Sequence, residues 1–366
     1  NSNSLISTSG DRSAAAIVQS IGGGGGWALI NSQAGIGLGA GVLNDTGDSL
    51  IPLKVNNRFE GKATGGSITA DIRGIIQTTG STSPGFVVQT IGGGGGFAGD
   101  AVGDGQLGGL FVDSNVGIEG SSNVLMPIAC QFGTCSIDEV EQAVLVDING
   151  SVVTTGATSP VMLVQAIGGG GGRLGTIGGN AKLGIKSATG LMNAAGGAVR
   201  VVSNAGASLS SQGDDSAALL IQSIGGGGGT VNSISGNAIL GGASTGNLSA
   251  GAITLNGPFA AQTKGNNSPG VVLQSIGGGG GLAADVQGDL ISFGTVGTAN
   301  TSASDVTAIS ENWQIGTEGL NSPGLILQSI GGGGGVAYTS TASVDLGGQV
   351  TGNTSAGNIS LTSKFN

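Results

Sequence analysis

Six segments of this chain carry the same order of apolar and polar positions. Each has three apolar residues, a glutamine, a small residue, an isoleucine and five glycines, as in Val271-Val272-Leu273-Gln274-Ser275-Ile276 followed by Gly277 to Gly281. The three apolar positions are consecutive, so a strand built from them has no wet face. That pattern predicts a strand buried on both sides, as in layered parallel sheets. Shorter apolar alternations lie between the glycine runs, and two of them, Thr245 to Leu255 and Thr351 to Leu361, match closely. They read as further strands bounded by Asn/Gly turns, although "SAGNISL" also suits a hairpin. No stretch keeps a 3.6-residue apolar spacing with caps, and the glycine content disfavours helices, so the predicted class is all-β.

The repeats are aligned by Ile21, Ile91, Ile167, Ile224, Ile276 and Ile330, at spacings of 70, 76, 57, 52 and 54 residues. Eleven residues before each isoleucine stands a glycine (Gly10, Gly80, Gly156, Gly213, Gly265, Gly319), and eight before it a serine (Ser13, Ser83, Ser159, Ser216, Ser268, Ser322). The Gly-x-x-Ser segment reads as a turn, and length varies only after the glycines, where loops belong. Parallel stacking at a fixed period predicts a β-solenoid of six glycine-rich units, one repeat domain over residues 1–366 with an insertion at 121–142. A small coil of about 20 residues would give about 18 layers, and one large coil per unit would give six.

Gln19, Gln89, Gln165, Gln222, Gln274 and Gln328 share a strand face with the isoleucines. Buried amides need partners, and stacked units would supply them as a ladder, which favours one coil per unit. The isoleucines form the predicted structural core beside that ladder. The glycine runs, lacking side chains at one place in every layer, let backbones approach closely, either as a stacked flat strand or as a polyglycine-II turn.

Composition narrows the function. The chain has 79 glycines among 366 residues, 38% hydrophobic and 3% aromatic residues, and a net charge of -10 from 21 acids and 11 bases. There is apolar surface enough for a thin core, and no basic cluster for nucleic acid. No apolar span is long enough for a transmembrane helix, and no signal peptide is recognisable; the first residue is Asn, so a mature or excised piece of a longer product is expected. Cys130 and Cys135, with no histidine in the chain to complete a metal site, read as a local disulfide in an exported protein, the alternative being two free buried thiols. Closing so short a loop contributes roughly 2 kcal/mol.

The acidic groups are Asp214-Asp215, Asp45 with Asp48, and Asp138-Glu139-Glu141. Carboxylate pairs cleave polysaccharides on some β-helices, but Asp214-Asp215 falls within the Gly-x-x-Ser turn, where turn chemistry explains it. The expectation is no enzyme, no cofactor and no metal.

Gly-x-x-Ser-Pro-Gly followed by three aliphatics and Gln-Ser-Ile-Gly-Gly-Gly-Gly-Gly resembles the glycine-rich repeats in passenger regions of bacterial autotransporter and filamentous-haemagglutinin-like surface proteins. The motif covers six segments of about 18 residues, under a third of the chain. The resemblance implies a β-solenoid passenger, export to the cell surface or beyond, and a role in adhesion, biofilm or surface layers. Two readings follow: a structural subunit associating with itself, or an adhesin binding a surface glycan or protein through its insertions. The chain opens with the second half of a unit and closes with the first half of one. Head-to-tail stacking into a filament is therefore expected, against the alternative that the sequence is a window of a giant repeat protein.

Overall fold

The computed structural model describes residues 4–23, 25–28, 36–38, 59–107, 110–118, 143–184, 186–187, 193–310, 312–341 and 343–363. Cys130, Cys135, the rest of the 121–142 insertion, Asp45, Asp48 and Asp138-Glu139-Glu141 lie outside these residues.

Among the described residues there are strands and no helix, and the strand pairs are parallel, so no hairpin forms at Ile359–Ser363. The chain passes through the same six sheets in the same order six times. The fourth passage shows the order: Ser208–Ser211, Leu219–Ile224, Gly228–Ile234, Ala238–Leu240, Asn247–Ser249 and Ile253–Asn256. Each strand pairs with its counterparts in the passages before and after, for example Gln165↔Gln222 and Gln222↔Gln274. One passage therefore consumes one whole repeat, and the small coil is not what forms. The fifth sheet is the least regular: it has seven strands, and the Leu110–Ile118 strand shifts register against Phe59–Gly65 between Val112 and Asn115.

Side-chain alternation separates the sheets by role. Val199–Ser203 and Ser208–Ser211, of the sixth and first sheets, alternate between buried and less buried positions, as half-wet strands do. In the second sheet Phe86–Ile91, Met162–Ile167, Leu219–Ile224 and Val271–Ile276 are buried at every position. One of its faces joins the largest core, with Val164, Ile221 and Leu273 against Val146, Val201 and Leu255. The other carries Val87, Leu163, Leu220 and Val272, which pack toward Leu282 and Ala284 of the third sheet. Behind the third sheet lies another core containing Leu174, Val231 and Phe293.

The five glycines divide between two tasks: the stacked strand expected of them forms at the last two only, and the first three make a bend. Gly225, Gly226 and Gly227 form the bend after Ile224, and Gly228 and Gly229 open the next strand. The strand pair has φ of +139° and +132°, a region closed to residues with a Cβ. A Cβ on Gly228 would overlap the carbonyl of Gly280 in the next layer, and one on Gly229 that of Gly172 in the layer before. The bend turns the third sheet back beside the second, and the bare strand start lets the layers close.

Candidate functional site

The second and third sheets form a wedge whose closed end is the glycine bend. Ile91, Ile167, Ile224 and Ile276 are fully buried there in one column, with Ile21 and Ile330 partly buried at its ends. Next to them the six glutamines form an unbroken chain of amide bonds. Gln19 Nε2 donates to Gln89 Oε1 at 2.6 Å, Gln89 to Gln165 at 2.6 Å, Gln165 to Gln222 at 2.7 Å, Gln222 to Gln274 at 2.8 Å and Gln274 to Gln328 at 2.7 Å. The second Nε2 hydrogen of Gln165 and Gln274 points across the wedge to the carbonyls of Gly172 and Gly281, at 3.4 and 3.3 Å. Gly172 and Gly281, the last glycines of their runs, are thus the wall against which the ladder rests in those layers. The ladder has a direction: every amide donates toward the later layer.

The Gly-x-x-Ser turns stack by a second ladder. The backbone N–H of Ser83 donates to Ser159 Oγ, that of Ser159 to Ser216 Oγ and that of Ser216 to Ser268 Oγ, at 2.8 to 3.0 Å. The hydroxyls are directed back at the glycine carbonyl of the preceding layer, as Ser159 is at Gly80. Within a layer, Thr263 Oγ1 closes the turn by donating to the Ser268 carbonyl at 2.5 Å. The residue before each serine has left-handed backbone: Arg12, Thr82, Thr158, Asp215, Asn267 and Asn321, with φ between 52° and 56°. Asp and Asn tolerate that region, whereas a β-branched threonine does so only under constraint. Here the stacked turns supply the constraint, and Thr82 and Thr158 hydroxyls meet at 2.9 Å.

The open end of the wedge holds chemistry that the repeat pattern does not announce. One column of the third sheet reads Trp27, Phe97, Arg173, Thr230, Leu282 and Val336 through the six layers. Trp27 stacks on Phe97 with centroids 4.2 Å apart, and the Arg173 guanidinium lies 5.4 Å from the Phe97 centroid. Arg173 is 2% exposed and donates from Nη2 to the Thr158 carbonyl at 2.6 Å. Among the described residues the ion pairs are Arg12–Asp100 and Arg73–Asp71, so Arg173 has no carboxylate in contact. Burial pulls its pKa down to about 10, against the opposing pull of Asp215 and Asp100.

Arg173, Asp215, Thr230 and Asn232 line a groove floored by Leu220 and Leu282, with a cavity of about 10 Å³. Arg173 Nε, Thr230 Oγ1 and Asn232 Nδ2 are buried without a hydrogen-bond partner. Asp215 is half-buried; desolvation raises its carboxyl pKa above the ordinary value, and the hydrogen bond from Asn267 Nδ2 at 3.0 Å opposes this. Tyr338 has a buried hydroxyl without a partner, and burial raises its pKa.

The glutamine and isoleucine columns are therefore brought together as expected. Asp214 and Asp215 sit in the turn, where Asp214 Oδ1 accepts the N–H of Asn266 at 2.7 Å and Asp215 occupies the left-handed position. The groove was not anticipated, because its residues differ from layer to layer; the isolated Arg173 among aromatic and aliphatic counterparts is the signal that marks it. Comparison with family models, with curated proteins and with solved structures finds no match.

Proposed function

We propose that this chain is a parallel β-solenoid serving as an extracellular structural subunit that stacks head to tail. The observation that carries the reading is the uniform parallel register of the stack, in which layer pairs with layer through the same six sheets and the glutamine ladder keeps one direction. Leu5 and Ile6 of the first layer are 63% and 43% exposed, and Ile359 and Leu361 of the last are 50% and 45% exposed. Strand edges of this apolar, extended kind are the ones that β-augmentation uses.

The ends are complementary. The glutamine ladder presents Gln19 as an acceptor at one end and Gln328 as a donor at the other. Ile359 occupies the column of Ile68, and Leu361 that of the smaller Ala70, so a following copy continues the alternation of the sixth sheet. Such a contact is heterologous and propagates without closing. The resemblance to passenger repeats supports a bacterial cell-surface or extracellular location. Among the described residues no helix is long and apolar enough to cross a membrane.

Sedimentation of the purified chain with its Leu361→Glu variant tests the proposal. The unaltered chain should sediment as polymers whose size grows with concentration, and the variant, altered at an exposed end position, as a folded monomer. Monomers for both at millimolar concentration overturn the reading.

A further inference from the structure

The groove at the open end of the wedge combines features that a purely structural wedge has no use for. Three polar groups, Arg173 Nε, Thr230 Oγ1 and Asn232 Nδ2, lack partners, and their residues are 2%, 1% and 3% exposed. Unsatisfied buried donors are rare in folded proteins, and three in one groove ask for an acceptor. Asp215 faces the same space and supplies an acceptor of its own. A ligand group seated in the groove would meet donors on the guanidinium and the amide and an acceptor on the Asp215 carboxylate.

Size decides which group that is. The space at the groove floor, about 10 Å³, holds about one oxygen-sized atom, and the groove opens to solvent above it. A peptide unit accepts and donates through two separate atoms and does not fit, and a carboxylate has no proton for Asp215. A hydroxyl oxygen accepts and donates from one centre. Leu220, Leu282 and Ala284 border it with aliphatic surface suited to the C–H skeleton of the hydroxyl's carrier.

We propose that this groove binds a hydroxyl group of a saccharide or other polyol, with Arg173 Nε and Asn232 Nδ2 donating to it, Thr230 completing its shell and Asp215 accepting its proton. The site belongs to the third to fifth layers, so it stands whether or not the stack polymerises.

Saturation-transfer NMR with glucose, galactose, N-acetylglucosamine and glycerol as probes tests the site, comparing the unaltered chain with Thr230→Val, Asn232→Leu and Arg173→Met. Saturable transfer to at least one probe is expected, with each variant weakening binding about tenfold or more. The circular dichroism of Thr230→Val and Asn232→Leu should be unchanged, since each keeps most of the volume and removes an unsatisfied polar group, whereas Arg173→Met also gives up the bond to the Thr158 carbonyl. If Arg173→Met fails to fold, the isosteric Thr230→Val decides. No transfer to any probe, meaning that water alone occupies the cavity, overturns the proposal; so does transfer that the folded variants leave undiminished.

Discussion

Replacing Gln274 by leucine interrupts the amide ladder at one rung without opening a cavity, because the two side chains are of similar size. Gln274 is fully buried, accepts from Gln222 at 2.8 Å and donates to Gln328 at 2.7 Å. The variant strands Gln222 Nε2 and Gln328 Oε1. A stranded buried group costs about 1–3 kcal/mol, and Gln328, partly open to solvent, falls at the lower end, so the total is about 2–4 kcal/mol. The pair Gln222→Leu with Gln274→Leu gives the sharper test. Each single variant strands one donor and one acceptor, and the double variant also strands only one of each, Gln165 Nε2 and Gln328 Oε1. The second replacement is therefore nearly free once the first is made, which corresponds to a coupling of about 2 kcal/mol or more. Urea unfolding of the four proteins, followed by far-ultraviolet circular dichroism and by the fluorescence of Trp27 and Trp313, the latter buried against Phe259, measures the cycle. Costs that add within about 0.5 kcal/mol would refute the ladder as an energetic unit.

Gly228→Ala should be far more damaging than Gly206→Ala. Both glycines have positive φ, +139° and +93°, but a Cβ at Gly228 overlaps the next layer's carbonyl whereas one at Gly206 meets open space. Losses of about 4 kcal/mol or more against about 1 kcal/mol in urea unfolding are expected, and equal losses would contradict the packing role of the glycine runs. The carboxyls of Asp215 and Asp147 are both raised above 3.8 by burial, so the folded chain holds their protons more tightly than the unfolded one. Their contribution favours the fold below that value and is lost as pH climbs through the raised pKa values. Asp215→Asn should accordingly raise the urea midpoint near pH 7 and leave it almost unchanged near pH 3; a gain confined to low pH would contradict the sign.

The second sheet was the most legible part of this chain. Three apolar positions in a row mean two buried faces, and a glutamine inside such a run has to find an amide, so the six glutamine positions give the register of the layers and favour one layer per repeat. The glycine runs were less legible: with no side chain there is no periodicity to separate the bend of Gly225 to Gly227 from the strand that begins at Gly228. The left-handed turn position was half-visible. Asp215, Asn267 and Asn321 are residues that favour it, but Arg12, Thr82 and Thr158 occupy the same place under the constraint of stacking. The groove around Arg173 was least visible, because it depends on which residues happen to be neighbours across layers 57 and 52 residues apart.

Electron cryo-microscopy of fibres grown from the purified chain tests the head-to-tail stack most directly. Six parallel layers at about 4.8 Å each predict polar fibres with a 4.8 Å layer spacing and an axial rise of about 29 Å per subunit, with no break in the glutamine column at the junction. Discrete particles six layers tall at high protein concentration, or fibres in which successive subunits point in opposite directions, would contradict it.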